Sequence, residues 1–314
     1  MRAPSQTPRR AATLAALLEE RGCAALLCAA RSSRDPDLAP FVGAVHLGAS
    51  LLVAPAGGEP RLAYFSPMER DEAAASGLAL LSPEALELER LARERPRAED
   101  FLAAAIAAAL DACGLTPGRV ALAGRAPAGV VHAACASLEP QGWRFVAGDE
   151  LLRLATKAKI SAELAAIRAA AQGAGAALAG VAALLAAAGA EDGELWLGAE
   201  RLRVARLRAE IAVLLAERGL AQPEGNIVAP GEEGAVPHST GSDDRVLRPG
   251  ESLIVDLFPK GGLFADCTRT FCVGPPPEAL ALAHRAVLEA LRAAHAGAAP
   301  GARGWSLQER ACSL

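Results

Sequence analysis

Residues Asn226–Gly274 read NIVAPGEEGAVPHSTGSDDRVLRPGESLIVDLFPKGGLFADCTRTFCVG, and this stretch decides the fold of the second half of the chain. It places His238 and two Asp among short apolar runs and glycine turns. The runs Ser252–Val255 and Leu263–Phe264 are typical of strands, and Lys260–Gly262 predicts the turn between them. The stretch therefore predicts a β-hairpin.

The two acidic residues of this hairpin are Asp256 and Asp266, ten positions apart (266 − 256). A hairpin brings them side by side, where each carboxylate would raise the pKa of the other unless a cation lies between them. Carboxylate oxygens are ligands that hard or borderline divalent metals accept. The pair therefore indicates a divalent metal site.

The motifs around these residues resemble the pita-bread metallopeptidases, the family of aminopeptidase P, prolidase and methionine aminopeptidase. The matching segments are Pro237-His238, Arg248–Glu251, Leu253–Asp256 and Asp266–Gly274, and the separation of eighteen from His238 to Asp256 (256 − 238) also matches. The ending Asp-x-Thr-Arg-Thr-Phe resembles the aminopeptidase P and prolidase branch more than methionine aminopeptidase.

This resemblance implies a function and a site. The expected activity is hydrolysis of Xaa-Pro peptide bonds, with two bridged divalent metal ions (Mn²⁺ first, Co²⁺ or Zn²⁺ as alternatives) that activate water. Asp256 and Asp266 would be metal ligands, and His238 would be the catalytic residue that stabilises the tetrahedral intermediate. The resemblance also implies a proline-containing peptide substrate and a homodimer.

The hairpin departs from the family pattern in two ways. It is one residue shorter than usual between the two Asp, and Ala265 stands where a Gly normally precedes the second Asp. A slip of one residue in register would turn a side chain to the opposite face of the sheet. We expect the turn to absorb the deletion, because Gly261-Gly262 permits unusual backbone angles.

The end of the chain differs from the family more strongly. The family adds one His and two Glu ligands well after the second Asp, whereas 48 residues follow Asp266 here (314 − 266). Those residues include His284 and His295, but both fall in the helical pattern Pro277–Ala296, and Trp305–Leu314 predicts the start of another helix. We therefore expect a C-terminally truncated catalytic domain with two of the five ligands. Such a chain would bind metal weakly and hydrolyse nothing.

Composition restricts the class of protein further. The net charge of −4 argues against nucleic-acid binding, which needs a basic face. Seven Cys, an odd number without zinc-type pairs, indicate a reduced, cytoplasmic protein.

The uncharged segment Gly173–Ala190 is long enough for a membrane helix, but Ala and Gly contribute little to insertion, so a half-buried helix without a membrane role is predicted. Arg9-Arg10 and Ala11–Leu18 resemble a signal peptide, but Glu19-Glu20-Arg21 follows, which favours an amphipathic first helix.

The chain divides into an N-terminal α/β domain, residues 1–154, and a pita-bread α+β catalytic domain, residues 155–314. In the first domain, strand patterns alternate with helices such as Ala98–Cys113, and the order resembles the N-terminal domain of the creatinase and prolidase group. The second begins with predicted helices Lys157–Gly180 and Glu194–Arg218. The predicted strands of the first domain are Ala24–Cys28, Ser50–Val53, Arg61–Phe65, Arg119–Leu122 and Trp143–Val146.

Simpler roles remain open for the site residues. Asp256 could end a strand before a turn, and Asp266 could hold the hairpin by hydrogen bonds. Two other functions fit the same fold: a metal-independent, creatinase-like C–N hydrolase, and a non-catalytic peptide- or protein-binding relative. Both are disfavoured because the chain keeps the Asp pair together with His238.

Several nearby residues are assigned structural roles. Asp243 and Asp244 are expected to be solvated turn acids, and Arg269 is expected to form an ion pair. Cys267 and Cys272 are expected to be small buried residues. His46 and His132 have no chemical partners in the sequence pattern, and no function is assigned to them.

Overall fold

The structure is a computed structural model that describes residues 7–313. It divides into two compact units, of which the first ends at Ile160 and the second begins at Ser161. This division lies six residues after the sequence-based boundary at 154 (160 − 154). The segment before the division contains the short helix Asp149–Ala155, whose apolar side chains are buried in the first unit.

The first unit contains a six-stranded sheet in the order β4-β3-β2-β1-β5-β6. The β1–β2 and β2–β3 pairs are antiparallel, and the β3–β4, β1–β5 and β5–β6 pairs are parallel. The strands are β1 (Ala25–Ala30), β2 (Ser50–Pro55), β3 (Arg61–Tyr64), β4 (Ala79–Leu81), β5 (Arg119–Ala123) and β6 (Arg144–Ala147).

Helices cover both faces of this sheet, which explains why β1 is an unbroken apolar run. Leu26 and Cys28 of β1 lie in the core on one face, and Leu27 and Ala29 lie in the core on the other. The prediction of an N-terminal α/β arrangement is therefore confirmed. Its helices are α1 (Thr7–Glu20), α2 (Ala39–Val42), α3 (Arg70–Ala75), α4 (Leu88–Glu94), α5 (Ala98–Ala112), α6 (Ala128–Leu138) and α7 (Asp149–Ala155).

The second unit contains two three-stranded sheets, ordered β7-β8-β9 and β10-β11-β12, together with four helices. Its strands are β7 (Gly189–Glu191), β8 (Glu194–Leu197), β9 (Glu200–Arg201), β10 (Asn226–Pro230), β11 (Leu253–Leu257) and β12 (Cys267–Phe271). Its helices are α8 (Ser161–Ala187), α9 (Val204–Ala216), α10 (Glu278–Gly297) and α11 (Gly304–Cys312). Leu314, with which the last predicted helix ends, lies outside the described residues.

Two sequence-based element boundaries were wrong. Residues 194–201 of the predicted helix Glu194–Arg218 form β8 and β9, and helix α9 begins only at Val204. The predicted strand Leu263–Phe264 contributes only an isolated bridge between Phe264 and Lys260. The strand itself, β12, begins after Asp266.

The sheet β10-β11-β12 carries the core of the second unit on one face. Side chains of β11 alternate: Leu253, Val255 and Leu257 are buried, whereas Ile254 and Asp256 on the other face are partly exposed. The buried face packs in one cluster with apolar side chains of α8 and α9. The opposite face, which carries Asp256, is therefore more open to solvent.

Helix α8 is long and apolar enough, by length and composition, to cross a membrane. One side of it is nevertheless buried, including Ala174, Ala177 and Val181, and packs against α9. Gly173 and Gly180 permit this close approach, since a Cβ there would lie 2.1 Å from Leu220 Cδ1 and 2.3 Å from Leu214 Cδ1, respectively. The buried side explains why small residues dominate the helix.

Candidate metal centre

The two predicted ligands lie next to each other at the end of the β11–β12 hairpin. Asp256 lies within β11 rather than at its end, and its Cα partner in β12 is Thr268. Asp266 immediately precedes β12, and its carboxyl group lies within hydrogen-bonding distance of the Asp256 carboxylate. The shortened hairpin has therefore not turned the two carboxylates to opposite faces.

The neighbouring carboxylate of Asp256 also affects the pKa of Asp266. Loss of solvation first, and then the charge and the hydrogen-bonding carboxylate of Asp256, raise the pKa of Asp266 above its ordinary value, although the side chain remains largely exposed. This is the situation that the sequence predicted for two carboxylates without a cation between them. The donor set, two adjacent anionic oxygen ligands, fits a divalent cation.

The loop between Asp256 and Asp266 is not held by unusual glycine backbone angles, as the sequence predicted. Gly261 and Gly262 do not adopt left-handed backbone angles. Instead, Lys260 is paired with Ala221 through two backbone hydrogen bonds, Lys260 O accepting at 2.9 Å and Lys260 N donating at 2.8 Å. Ala265 N donates to Pro259 O at 3.0 Å, which closes the loop immediately before Asp266. Backbone hydrogen bonds to Ala221 and Pro259, rather than left-handed glycines, thus hold the shortened loop.

Thr268 is a site residue that the sequence analysis did not single out. Its Oγ1 donates a hydrogen bond of 2.6 Å to Asp256 Oδ1 and so fixes one carboxylate oxygen. The available signal was the Asp-x-Thr spacing, because residues two apart in a strand share a face.

His238 lies in the loop that follows β10 and a short 3-10 helix, Gly231–Ala235. The side chain is exposed, and the residue adopts a left-handed backbone with φ of 62°, which is uncommon for a residue other than glycine. Two residues later the chain returns to the sheet, where Val228 N donates to Thr240 O at 3.0 Å on the free edge of β10. The loop thus begins at β10 and returns to it, and β10 pairs with β11, the strand that contains Asp256.

Other expectations for this region need correction. Arg269 donates to Thr268 O at 2.7 Å and to Cys267 Sγ at 3.5 Å, and within residues 7–313 no carboxylate pairs with it. Cys267 and Cys272 are partly exposed rather than buried: Cys267 begins the edge strand β12, and Cys272 follows its last residue. Asp243 is exposed, as expected of a turn acid, but its carboxylate also accepts a hydrogen bond from Arg208.

Within residues 7–313, no group of three or more His, Cys, Asp or Glu side chains is close enough together to hold a metal ion. His284 and His295 lie on α10 and are exposed. The described residues therefore supply a two-carboxylate pair, with His238 in a neighbouring loop.

Comparison with known proteins agrees with this geometry. Residues 165–314 match the model of "Metallopeptidase family M24". The Xaa-Pro dipeptidase of Pyrococcus furiosus is 35% identical over 107 residues, which cover 32% of this chain and 30% of that relative. The matched stretch thus spans less than a third of the curated relative.

Solved structures extend the similarity to almost the whole chain. Prolidase from Pyrococcus horikoshii OT3 has a TM-score of 0.69 at 18% identity, covering 97% of this chain and 76% of that one. Dipeptidase PepE from Mycobacterium ulcerans has a TM-score of 0.64 at 24% identity, covering 92% and 70%. The second unit is thus similar in sequence to metallopeptidase family M24, and the chain has the pita-bread fold with its preceding α/β domain. The match to a metallopeptidase family agrees with the metal site that the sequence predicts.

Proposed function

We propose that the protein is a metal-dependent peptidase that hydrolyses Xaa-Pro bonds, with Asp256 and Asp266 as metal ligands. The observation that supports this proposal is that the two carboxylates lie next to each other despite the shortened hairpin. The match to the metallopeptidase family model and the resemblance to Xaa-Pro dipeptidase support the reaction class. Two Mn²⁺ ions, a homodimer and a cytoplasmic location are parts of the proposal that rest on sequence resemblance and composition.

Divalent cations at this site would supply Lewis-acid chemistry, acidifying water and polarising the scissile carbonyl. Thr268 holds Asp256 in one orientation through the 2.6 Å hydrogen bond, so this ligand is fixed before substrate binds. His238 is exposed and carries an N–H that can donate to the oxygen that gains negative charge in the tetrahedral intermediate. These residues therefore orient a ligand and stabilise developing charge.

The test uses the protein encoded by the complete reading frame, treated with chelator and then supplied with Mn²⁺, Co²⁺ or Zn²⁺. Substrates are an Xaa-Pro dipeptide, an Xaa-Pro tripeptide and matched peptides with Ala in place of Pro. We expect metal-dependent release of the N-terminal residue from a proline peptide only. Asp256→Asn and Asp266→Asn should abolish turnover, and Asp192→Asn, at an exposed turn of the second unit, should not.

Two results would replace the proposal. Hydrolysis of a non-peptide C–N bond that persists in chelator would favour the creatinase-like alternative. Binding of proline peptides without turnover under any of the three metals would favour a non-catalytic relative.

A further inference from the structure

Arg208, on α9, is the centre of a hydrogen-bond cluster in the second unit. Its guanidinium donates to Asn226 Oδ1 at 3.2 Å and to Gly241 O at 3.1 Å. It also donates to Thr240 O and to the carboxylate of Asp243. The side chain is only 22% exposed, so these bonds are partly shielded from water.

Three of these four acceptors belong to one segment, Thr240–Asp243, which begins two residues after His238. The fourth, Asn226, is the first residue of β10. Arg208 therefore links two parts of the second unit: the loop that contains His238, and β10, which pairs with the Asp256 strand β11. Gly241 lies so close to that strand that a Cβ there would be 2.0 Å from Val228 O.

Two further hydrogen bonds connect the residues after His238 to the residues before it. Ser239 N donates to Val236 O at 3.0 Å, and Ser242 N donates to Glu233 Oε2 at 3.0 Å. These bonds join the loop to the 3-10 helix and the residue after it, and the helix is attached beside β11, where Gly231 N donates to Ser252 O at 2.7 Å. After His238, the loop is held by the bond from Val228 N to Thr240 O, by Ala205 N, which donates to Asp243 O at 3.1 Å, and by the bonds of Arg208. Arg208 is the only side chain among these three attachments.

We propose that Arg208 is a positioning residue, which sets the location of the His238 imidazole relative to the Asp256–Asp266 pair. The proposal rests on the catalytic role proposed above for His238. A guanidinium suits this task because it is planar and has five N–H donors, enough for four acceptors in different directions. A Lys ammonium at the same position could reach only part of the set.

The first test examines the position of His238 without any catalysis. The chain has five His, and the imidazole signal of His238 in a proton NMR spectrum is assigned by its loss in His238→Gln. Arg208→Met should shift or broaden that signal and leave the other four unchanged, and Arg208→Lys should have a smaller effect. Arg206→Met is the matched control, since Arg206 lies on the same helix and pairs with Glu210 at 3.2 Å, outside the loop. An unchanged His238 signal in Arg208→Met would overturn the proposal.

The second test asks whether Arg208 acts through His238. In the active protein, Arg208→Met should lower kcat for an Xaa-Pro peptide by about 10-fold or more with little change in KM, as loss of a transition-state interaction does. Combined with His238→Ala, it should cause little further loss, whereas additive losses would overturn the proposal. Arg208→Lys and Asn226→Ala give graded versions if Arg208→Met does not fold. An absence of wild-type turnover would count against the proposed function, and the NMR result would then decide the positioning claim by itself.

Discussion

Replacing Gly241 with Ala tests how tightly the His238 loop is fixed to the sheet. Gly241 has φ of 83°, and an added Cβ would lie 2.0 Å from Val228 O and 2.8 Å from Val228 C, both backbone atoms that cannot rotate away. Gly225→Ala is the matched control, because Gly225 has φ of 77° and nothing within 4 Å of an added Cβ. Both substitutions impose the same backbone strain, but only one imposes a collision.

The magnitude follows from the contacts that must break. A left-handed alanine costs roughly 1–2 kcal/mol, and this is the whole expected effect of Gly225→Ala. At Gly241 the collision also separates Thr240 from Val228, which removes a hydrogen bond worth about 1 kcal/mol. It also weakens bonds from the Arg208 guanidinium to two carbonyls, and bonds of that charged type are worth roughly 1.5–3 kcal/mol each. We expect Gly241→Ala to lower the free energy of unfolding of the second unit by about 3–5 kcal/mol.

The assay is hydrogen exchange as a function of urea, read on peptides that cover β10 and β11. This readout isolates the second unit from the first within the intact chain. Gly241→Ala should destabilise these peptides by at least about 2 kcal/mol more than Gly225→Ala does. Equal effects of the two substitutions would refute the close approach of the loop to β10.

Two further predictions concern the metal ligand and a buried thiol. Thr268→Val should weaken Mn²⁺ binding about 10–100-fold, because it removes a group that orients a metal ligand. Thr270→Val, on the same face of the strand, should leave Mn²⁺ binding unchanged. Equal affinities in both variants would contradict the role of the 2.6 Å bond from Thr268 to Asp256. Burial raises the pKa of Cys135 to about 11 from 9.0, so at pH 9 its thiolate fraction should be near 1%, and iodoacetamide should label the exposed Cys312 far faster in a mass-spectrometric time course. A raised thiol pKa favours the neutral form in the folded state, so this group stabilises the first unit fully below about pH 9 and loses that contribution as pH rises towards 11. Comparable labelling of both thiols at pH 9 would contradict the raised pKa of Cys135.

The sequence predicted the site best where chemistry and local pattern coincide. The spacing of Asp256 and Asp266 across a turn was enough to predict neighbouring carboxylates, because side-chain alternation in strands is a local rule. The first half was predicted as α/β for a similar reason, since fully apolar strands such as β1 alternate with helical segments.

The failures have two physical causes. The helix predicted from Glu194 ignored Asp192-Gly193, which take φ of 50° and 76° and form the tight turn between β7 and β8. That dipeptide is a strong hairpin signal, so this error was avoidable. The role of Arg208 was not predictable, because it depends on contacts with residues 32 and 33 positions away. The residues next to an arginine in a helix do not indicate which distant residues its side chain will contact.

The account depends most directly on whether Asp256 and Asp266 hold a divalent metal together. The deciding measurement is isothermal titration calorimetry with Mn²⁺ on the chelator-treated protein from the complete reading frame, compared with Asp256→Asn, Asp266→Asn and Asp192→Asn. Loss of a group that orients a ligand costs about 10–100-fold, so loss of a ligand should raise the dissociation constant by at least about 100-fold in each of the first two variants. The Asp192→Asn control should bind as the wild type does. Wild-type affinity in either Asp256→Asn or Asp266→Asn would contradict the proposed metal centre.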